Sequence, residues 1–318
     1  MSILESTYPK SSLSVAILLA TYNGEKYLRE QLQSIAAQDM TNWGLFVSDD
    51  GSSDATKKIL ADFADEYADH EVKVFDGPKK GFAQNFLSLV CNPDIGANFF
   101  AYADQDDVWM KIKLKKAVQW LESVPSDLPA LYCSRTEYVD ENLKHIAYSP
   151  DYGRPAIFAN ALVQNIASGN TMVFNAAARQ LLQKAGKDAD IPLHDWWTYM
   201  LVTGAGGVTH FDKSPTVFYR QHSNNLWGMN AGWRASLSRI QKLFEGRFKG
   251  WNERHIIALN GVTGLLTADA KKRIDLFSQC RVSSGLVERL MNFEKSGVYR
   301  QTFITNLGLR VAILFRKI

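Results

Sequence analysis

The sequence is poor in cysteine and has no long apolar run. Its three cysteines, Cys91, Cys133 and Cys280, lie far apart, so they form neither a disulfide framework nor the paired spacing of a zinc site, and a reducing cytoplasm is the expected compartment. No apolar stretch approaches the roughly 20 residues of a membrane-spanning helix. The polar residues at the start do not resemble a secretory signal. These absences favour a globular cytoplasmic protein.

A glycine-rich phosphate loop is also missing near the start. The first strand-like run is followed by Thr21-Tyr22-Asn23-Gly24. A dinucleotide-dependent dehydrogenase would need G-x-G-x-x-G at this place, and a sugar nucleotidyltransferase would need a glycine-rich phosphate loop. Both classes are therefore disfavoured.

Charge is distributed unevenly along the 318 residues. Residues 234–318 contain 16 Lys and Arg against 6 Asp and Glu, whereas residues 1–233 contain 20 against 27. From Trp233 onward the pattern predicts only helices, so we divide the chain into a domain at 1–230 and a basic helical region at 231–318. A basic region of this kind favours an anionic surface, such as membrane lipid headgroups, as partner. No nucleic-acid partner is expected.

Strand and helix patterns alternate through the first hundred residues. This alternation predicts an α/β fold with a mostly parallel sheet covered by helices on both faces. The predicted strands are 14–20, 44–47, 72–75, 98–103, 130–138, 171–175 and 214–219. The predicted helices are 25–38, 54–69, 82–91, 110–123 and 176–185, with another starting near 193.

Two acidic clusters follow predicted strands, Asp49-Asp50 and the Asp-Gln-Asp-Asp sequence at 104–107. Carboxylates at the carboxyl ends of strands in an open α/β sheet point into the ligand crevice, where they repel one another unless a cation lies among them. An Asp-x-Asp turn can place two oxygens on Mg²⁺ or Mn²⁺, whose other ligands are water and diphosphate oxygens. Ordinary turns with helix caps are the alternative interpretation of both clusters.

The order of the motifs resembles the GT-A glycosyltransferases of family 2. The matching segments are A-T-Y-N-G at 20–24, D-D-G-S-S-D at 49–54 and D-Q-D-D-V-W at 104–109, and the resemblance covers roughly residues 14–225. The last motif, with Y-R-Q-H-S-N-N at 219–225, is most similar to bacterial rhamnosyltransferases. The resemblance implies a GT-A fold with a C-terminal helical extension.

The resemblance also implies roles for individual residues. The expected nucleotide contacts are Thr21, Tyr22, Asn23, Asp49, Asp50, Asn85, Asp104 and Arg220. Asp106 and Asp104 would form the metal motif, with His222 completing it and Arg220 clamping the diphosphate. Gly169 and Asn170 resemble the segment beneath the donor sugar and acceptor, although a simple turn explains them equally well.

A second expected part of the sugar site is the run His194-Asp195-Trp196-Trp197 at a helix start. Asp195 is the expected catalytic base, which would take the proton from the acceptor hydroxyl. The family often has Glu-Asp here, so His194 is a departure from its pattern. Trp196 and Trp197 could offer flat faces to a sugar or could pack in the core.

The implied reaction is an inverting, metal-dependent transfer of L-rhamnose from dTDP-β-L-rhamnose to a hydroxyl of a glycan acceptor, in cell-surface polysaccharide synthesis. The acceptors of such enzymes are usually carried on undecaprenyl diphosphate. A UDP-sugar donor such as UDP-Glc, UDP-Gal or UDP-GlcNAc is one alternative. A non-catalytic assembly scaffold is an alternative of another class.

The basic region carries two apolar stripes at helical spacing. One consists of Trp233, Leu237, Ile240, Leu243 and Phe244, and the other of Phe303, Leu307, Val311, Leu314 and Phe315. Helices with an apolar and a basic face can lie in a membrane interface, which would place the protein on the inner face of the cytoplasmic membrane. A packing helix with a solvated basic face is the alternative.

Overall fold

A mixed β-sheet of nine strands organises the part of the chain that the computed structural model describes, residues 14–222 and 247–318. The strands are β1 (Val15–Thr21), β2 (Trp43–Asp49), β3 (Glu71–Asp76), β4 (Phe99–Ala103), β5 (Val108–Trp109), β6 (Ala130–Val139), β7 (His145–Tyr148), β8 (Val173–Asn175) and β9 (Val208–Arg220). The helices are α1 (Leu28–Ala36), α2 (Thr56–Glu66), α3 (Phe82–Val90), α4 (Lys113–Glu122), α5 (Phe158–Ala161), α6 (Ala176–Ala185), α7 (His194–Gly204), α8 (Arg247–Gly261), α9 (Ala268–Val282), α10 (Leu286–Ser296) and α11 (Phe303–Leu314).

The sheet order is β3-β2-β1-β4-β8-β6-β9-β5, with β7 paired to β6. Strands β1 to β4 are parallel, as the alternating pattern predicts. Strand β8 enters the sheet antiparallel to both β4 and β6, and β5 is antiparallel to β9. The description "mostly parallel" therefore holds for the first half of the sheet and is corrected for the second, because a short apolar run does not reveal the direction of its strand.

Strand β1 is apolar from Val15 to Ala20 because both faces of the sheet are covered. Ile17 and Leu19 point to the face packed by α1, α2 and α4. Ala16 and Leu18 point to the opposite face, which α3, α6 and α7 cover. Because β1 to β4 are parallel, their carboxyl ends meet at one edge of the sheet, where Thr21 lies opposite Asp49.

The C-terminal helices join the core on the second face. Ile256, Phe277, Phe293 and Leu309 from α8 to α11 belong to the same buried cluster as α3 and α7. The predicted boundary at 230/231 and the predicted stripe at 233–244 lie outside the described residues. Within the described ranges, no helix is long and apolar enough to cross a membrane.

Candidate active site

The loop after β2 is built around a buried carboxylate, Asp49. Thr21 Oγ1 donates to Asp49 Oδ2 at 3.0 Å, and the Ser52 N–H donates to Oδ1 at 2.8 Å. Burial by itself raises the pKa of Asp49, but the hydrogen bonds from Ser52, Thr21 and Gly51 outweigh it and lower the pKa below its ordinary value. Asp49 is thus an anion that holds the ends of β1 and β2 together.

Asp50 performs a similar task for the next loop. Its Oδ1 accepts the Lys79 N–H at 2.6 Å and its Oδ2 accepts the Gly81 N–H at 3.0 Å. Gly77 sits so close that an added Cβ would lie 2.8 Å from Asp50 Oδ1 and from the Asp49 carbonyl oxygen. Asp50 remains half-exposed, so it is the more accessible of the two predicted nucleoside contacts.

The other predicted nucleotide contacts surround this edge. Asn23 Oδ1 accepts the Ser53 N–H at 2.9 Å, which fixes the loop after β1. Asn85 is buried, and its Nδ2 donates to the Ser48 carbonyl oxygen at 2.9 Å. The ring of Tyr22, directly after β1, is exposed to solvent. Of these side chains, Tyr22 presents the largest free surface to a ligand.

The turn after β4 is fastened to the end of β1 by Gln105, for which the sequence assigned no role. Gln105 Oε1 accepts the Tyr22 N–H at 2.9 Å, and Nε2 donates to the Tyr22 carbonyl oxygen at 3.0 Å. A Cβ at position 24 would lie 2.4 Å from Gln105 Oε1, so Gly24 leaves room for this amide. The signal that could have revealed it was its place inside the acidic motif.

Two predicted metal ligands are already neighbours. His222 Nε2 lies 2.9 Å from Asp106 Oδ2, and the His222 ring stacks on Tyr27 with a centroid distance of 5.0 Å. In residues 14–222 and 247–318, no three His, Cys, Asp or Glu side chains converge as a complete metal site. Mg²⁺ is commonly held by one or two carboxylates with the remaining positions taken by phosphate and water. A pair of protein ligands fits that pattern.

Burial and the nearby negative charges disfavour the ionised form of the carboxyl groups in this turn. Burial, with Asp106 and Asp195 adding their charges, raises the pKa of Asp104 to about 8. Burial and the charges of Asp106 and Asp104 also raise the pKa of Asp107 well above its ordinary value. Such shifts mean that full ionisation of the cluster is unfavourable without added positive charge. The donor set and its charge therefore suit a divalent cation.

A buried lysine that sequence reasoning missed lies behind this turn. Lys113 Nζ is 3.4 Å from the centre of the Trp109 ring, a cation–π contact. Burial lowers the pKa of Lys113 well below its ordinary value, although Asp107 and Asp104 oppose this. The lysine thus supplies only partial compensation for the carboxylates.

Arg220 lies beneath the turn and is buried. Its Nε donates to the Asp106 carbonyl oxygen at 3.2 Å, and the other two nitrogens donate to the Glu141 carbonyl oxygen and to the Glu30 carboxylate. The guanidinium joins the metal motif to α1 and to the loop after β6. Its predicted contact with a diphosphate stays a prediction.

The segment 168–170 connects the metal motif to α7. Asn170 Nδ2 donates to Asp107 Oδ2 at 2.6 Å, and the Gly169 N–H donates to Asp195 Oδ2 at 3.1 Å. Ser168 Oγ donates to Asn170 Oδ1 at 2.8 Å and holds the amide in place. The structure therefore brings together two motifs that are about ninety residues apart in the sequence.

Asp195 and His194, at the start of α7, have pKa values that burial shifts in opposite directions. Burial raises the pKa of Asp195 to about 6, while the N–H groups of Trp196 and Gly169 oppose the rise. The His194 ring stacks on Phe86 at 3.8 Å, and neither ring nitrogen has a hydrogen-bond partner among the described residues. Burial lowers the pKa of His194 to about 3, so this imidazole is neutral and packs beside the carboxylate without bonding to it.

The two tryptophans of the motif are core residues. Trp196 is 3% exposed and donates its Nε1–H to the Ala161 carbonyl oxygen at 2.6 Å, and Trp197 is 0% exposed. Neither indole presents a face to a sugar in this structure. The expectation of a sugar platform is corrected in favour of core packing, because Trp196 bonds α5 and packs against Phe248 and Trp251 of α8, and Trp197 is buried in the same apolar cluster.

Comparison with known proteins identifies relatives of the chain. Residues 16–182 match the model described as Glycosyl transferase family 2. The chain is 30% identical over 231 residues to the dTDP-rhamnosyl transferase RfbG of Shigella flexneri, which covers 70% of this chain and 78% of that protein. It is 30% identical over 108 residues to the UDP-Glc:alpha-D-GlcNAc-diphosphoundecaprenol beta-1,3-glucosyltransferase WfgD of Escherichia coli, which covers 34% of this chain and 40% of that protein.

Solved structures resemble the fold. Residues 1–349 of S. aureus TarS in complex with UDP-GlcNAc match with a TM-score of 0.52 and 16% identity, over 90% of this chain and 93% of that chain. GalNAc-T7 with UDP, GalNAc and Mn²⁺ matches with a TM-score of 0.54 and 11% identity, over 96% and 58%. At these identities the likeness concerns the fold alone, and it confirms the predicted GT-A architecture with a helical C-terminal region.

Proposed function

This chain belongs to glycosyl transferase family 2 and is a glycosyltransferase, and we propose that it transfers L-rhamnose from dTDP-β-L-rhamnose to a hydroxyl of a glycan acceptor. The observation that carries the proposal is the bridge at 168–170, where Asn170 bonds Asp107 and Gly169 bonds Asp195. One short segment thereby connects Asp107, on the proposed leaving-group side of the site, to Asp195, on the proposed acceptor side. The identity to RfbG supports rhamnose as the sugar.

The proposed metal ligands are Asp106 and His222, with Asp104 beside them. Bound there, Mg²⁺ or Mn²⁺ would neutralise the diphosphate of the leaving nucleotide as a Lewis acid. The support is the 2.9 Å separation of Asp106 Oδ2 and His222 Nε2, together with the raised pKa of Asp104. GalNAc-T7, a fold neighbour, binds Mn²⁺ together with UDP.

Asp195 is the proposed general base. With a pKa near 6 it is mostly ionised at neutral pH and still basic enough to accept a proton, the compromise that general-base catalysis favours. The acceptor oxygen, losing its proton to Asp195, forms a bond to C1 of the sugar while the bond from C1 to the diphosphate oxygen breaks. A single displacement from the opposite face inverts the anomeric configuration.

The proposed nucleotide site is the edge formed by the ends of β1 and β2. Tyr22 offers an exposed ring for the base or ribose, and Asp50 offers a half-exposed carboxylate. Thr21, Asn23, Asp49 and Asn85 support this edge through the hydrogen bonds described above. Arg220 would reach the diphosphate only by exchanging one of its present partners.

The proposed acceptor is a glycan carried on undecaprenyl diphosphate, with Gly169 and Asn170 beneath the reacting sugars. WfgD, which acts on a diphosphoundecaprenol-linked sugar by its name, supports this class of acceptor. Such an acceptor would place the enzyme at the inner face of the cytoplasmic membrane. A UDP-sugar such as UDP-Glc, UDP-Gal or UDP-GlcNAc is the second candidate donor, favoured by WfgD and by the TarS complex with UDP-GlcNAc.

A donor panel tests the proposal. Release of dTDP or UDP from each nucleotide sugar is measured with Mn²⁺, with Mg²⁺ and with a chelator, in the presence of glycan acceptors. We expect metal-dependent release that is fastest from dTDP-β-L-rhamnose, and loss of release but not of donor binding in Asp195→Asn. Faster release from a UDP-sugar would overturn the donor assignment. The absence of both turnover and nucleotide binding would instead favour a non-catalytic scaffold.

A further inference from the structure

One face of α11 is apolar and is not used for folding. Phe303, Ile304, Leu307 and Phe315 are 84%, 79%, 54% and 64% exposed. Leu309, Ala312 and Ile313, on the opposite side of the helix at 3.6 residues per turn, are buried in the core. Packing against the domain therefore accounts for one side of α11 and leaves the apolar stripe uncovered.

The apolar stripe lies among basic residues. Residues 295–318 contain five Lys and Arg and no Asp or Glu: Lys295, Arg300, Arg310, Arg316 and Lys317. Arg310 pairs with Glu294 of α10 at 3.0 Å, and both side chains are largely exposed to water. An apolar stripe flanked by positive charge is complementary to a bilayer that carries anionic headgroups.

The helix presents this stripe from a fixed position. Thr302 and Thr305 form a capping box at its start. At its end, Arg289 Nη1 donates to the carbonyl oxygens of Ile313 and Leu314 at 3.1 and 2.9 Å. The start of α11 is thus capped within the helix, and its end is held to α10 by hydrogen bonds.

The same surface is connected, through residues 157–164, to α7, the helix that begins with the proposed base. The Gln301 N–H donates to Gln164 Oε1 at 2.8 Å, and Asn160 Nδ2 donates to the Tyr299 carbonyl oxygen at 3.0 Å. Trp196, which follows Asp195, bonds the Ala161 carbonyl oxygen. Residues 157–164 therefore contact both the approach to α11 and the helix that carries the proposed base.

We propose that the exposed face of α11 docks on an anionic membrane surface, with the helix lying parallel to the bilayer and Phe303, Ile304, Leu307 and Phe315 entering the headgroup region. Arg310, Arg316 and Lys317 lie beside these side chains and would contact lipid phosphates, Arg310 by exchanging its ion pair with Glu294 and Arg316 by keeping or exchanging its hydrogen bond to the Ser284 carbonyl oxygen. That this docking brings a lipid-linked acceptor toward the start of α7 rests on the proposed function. The docking itself does not.

Co-sedimentation of the full chain with vesicles tests the docking. Vesicles of phosphatidylcholine alone are compared with vesicles that also contain phosphatidylglycerol, and we expect binding to the second kind. The triple variant Phe303→Ser, Ile304→Ser and Leu307→Ser should lower the partition constant at least about tenfold, since several buried methylene groups are lost. Val74→Ser and Ile257→Ser, which replace exposed apolar residues outside α11, should bind as the wild type does.

A charge variant tests the electrostatic part. Arg316→Glu with Lys317→Glu should weaken binding to phosphatidylglycerol vesicles, whereas Lys271→Glu with Lys272→Glu, on α9, should change it little. Undiminished binding by the triple serine variant would overturn the proposal. So would wild-type self-association in light scattering that the triple variant abolishes, without vesicle binding, since the stripe would then face a second copy of the chain.

Turnover on a water-soluble acceptor separates this proposal from the proposed function. The serine and charge variants should retain wild-type release of nucleotide in that assay, because the stripe is outside the site. Vesicle binding without any turnover, in the wild type as well, would count against the proposed function alone.

Discussion

Gln105 and Tyr22 bond each other in both directions, side chain to backbone. The Gln105 amide accepts from the Tyr22 N–H at 2.9 Å and donates to the Tyr22 carbonyl oxygen at 3.0 Å. This pair joins the turn that carries Asp104 and Asp106 to the loop that carries the proposed nucleotide contacts. The pairing of β1 with β4 sets the distance between the proposed metal motif and the proposed nucleotide edge, and this neutral side chain adds a direct connection between their loops.

Gln105→Ala should therefore loosen donor binding without unfolding the protein. Two partly exposed hydrogen bonds together contribute on the order of 1–2 kcal/mol, so the donor KM should rise about tenfold. Steady-state kinetics and calorimetric titration with the nucleotide measure the effect. Gln33→Ala, at an exposed position of α1, is the matched control. An unchanged KM in Gln105→Ala would show that the pairing does not position the site.

Asp106→Asn should remove the response of nucleotide binding to Mn²⁺. The amide has the shape of the carboxylate but neither its charge nor its ability to hold the cation with His222. We expect the affinity gained on adding Mn²⁺ to fall about 10- to 100-fold, measured by titration with dTDP and with UDP. Asp62→Asn, on the exposed side of α2, should keep the full metal response. An equal metal response in Asp106→Asn would contradict the ligand assignment.

The first half of the fold could be predicted because its strands are continuous apolar runs. The bounds of β1 to β4 lie within about two residues of the prediction, and α6 agrees at both ends. Strands β5 and β7 were missed, since two and four residues are too few to show a period. Strand β9 was predicted only from 214 because His210, Asp212 and Lys213 interrupt its apolar pattern.

The motifs and the family resemblance indicate which residues form the site, but not which partners those residues bond. The resemblance grouped Asp104, Asp106 and His222 in one prediction. It did not show that Asp50 accepts two backbone N–H groups, or that Asp49 accepts backbone N–H groups on Oδ1 and hydroxyl groups on Oδ2. Those bonds depend on loop geometry, which residue types alone leave open. The burial of Trp196 was equally hidden, because α8, which packs on it through Phe248 and Trp251, comes from a distant segment.

The pH dependence of turnover should report on Asp195. The proposed base would act only as a carboxylate, and burial raises the pKa of Asp195 to about 6. The rate should thus be constant near pH 7 to 8 and fall about tenfold per pH unit below about 6. Asp195→Asn should lower kcat by about 10²- to 10⁴-fold while leaving the donor affinity unchanged. Normal turnover by Asp195→Asn would show that another group takes the proton.

Gly169→Ala should disturb the bridge between Asp107 and Asp195. An added Cβ would lie 2.9 Å from His194 Nε2 and 3.2 Å from Asp195 Cβ, so the His194 ring must move and Asp195 must give way by a few tenths of an ångström. We expect kcat to fall about tenfold or more, since small displacements of a positioned group are costly to the reaction. Gly153→Ala meets nothing within 4 Å and serves as the control. Equal rates in the two variants would remove the segment 168–170 from the mechanism.

Buried neutral histidines should make the protein sensitive to acid. His255 lies edge-on to Trp196 at 4.7 Å, and burial, with a smaller contribution from Arg254, lowers its pKa to about 3. Below the ordinary histidine pKa of about 6.5, the unfolded chain binds a proton at this position and the folded chain does not. The free energy of unfolding is therefore greatest above pH 6.5. It should decline by about 1.4 kcal/mol per pH unit for each such histidine as the pH falls.

His255→Phe should make that decline shallower between pH 6.5 and 4, because the ring volume is kept and the titrating group is removed. Urea unfolding at several pH values gives the slope for the wild type and the variant. Ile146→Phe, which adds a ring at an exposed position of β7 and removes no titrating group, is the control and should retain the wild-type slope. Parallel slopes for His255→Phe and the wild type would mean that His255 accepts a proton in the folded protein, which would require water to reach the contact between α7 and α8.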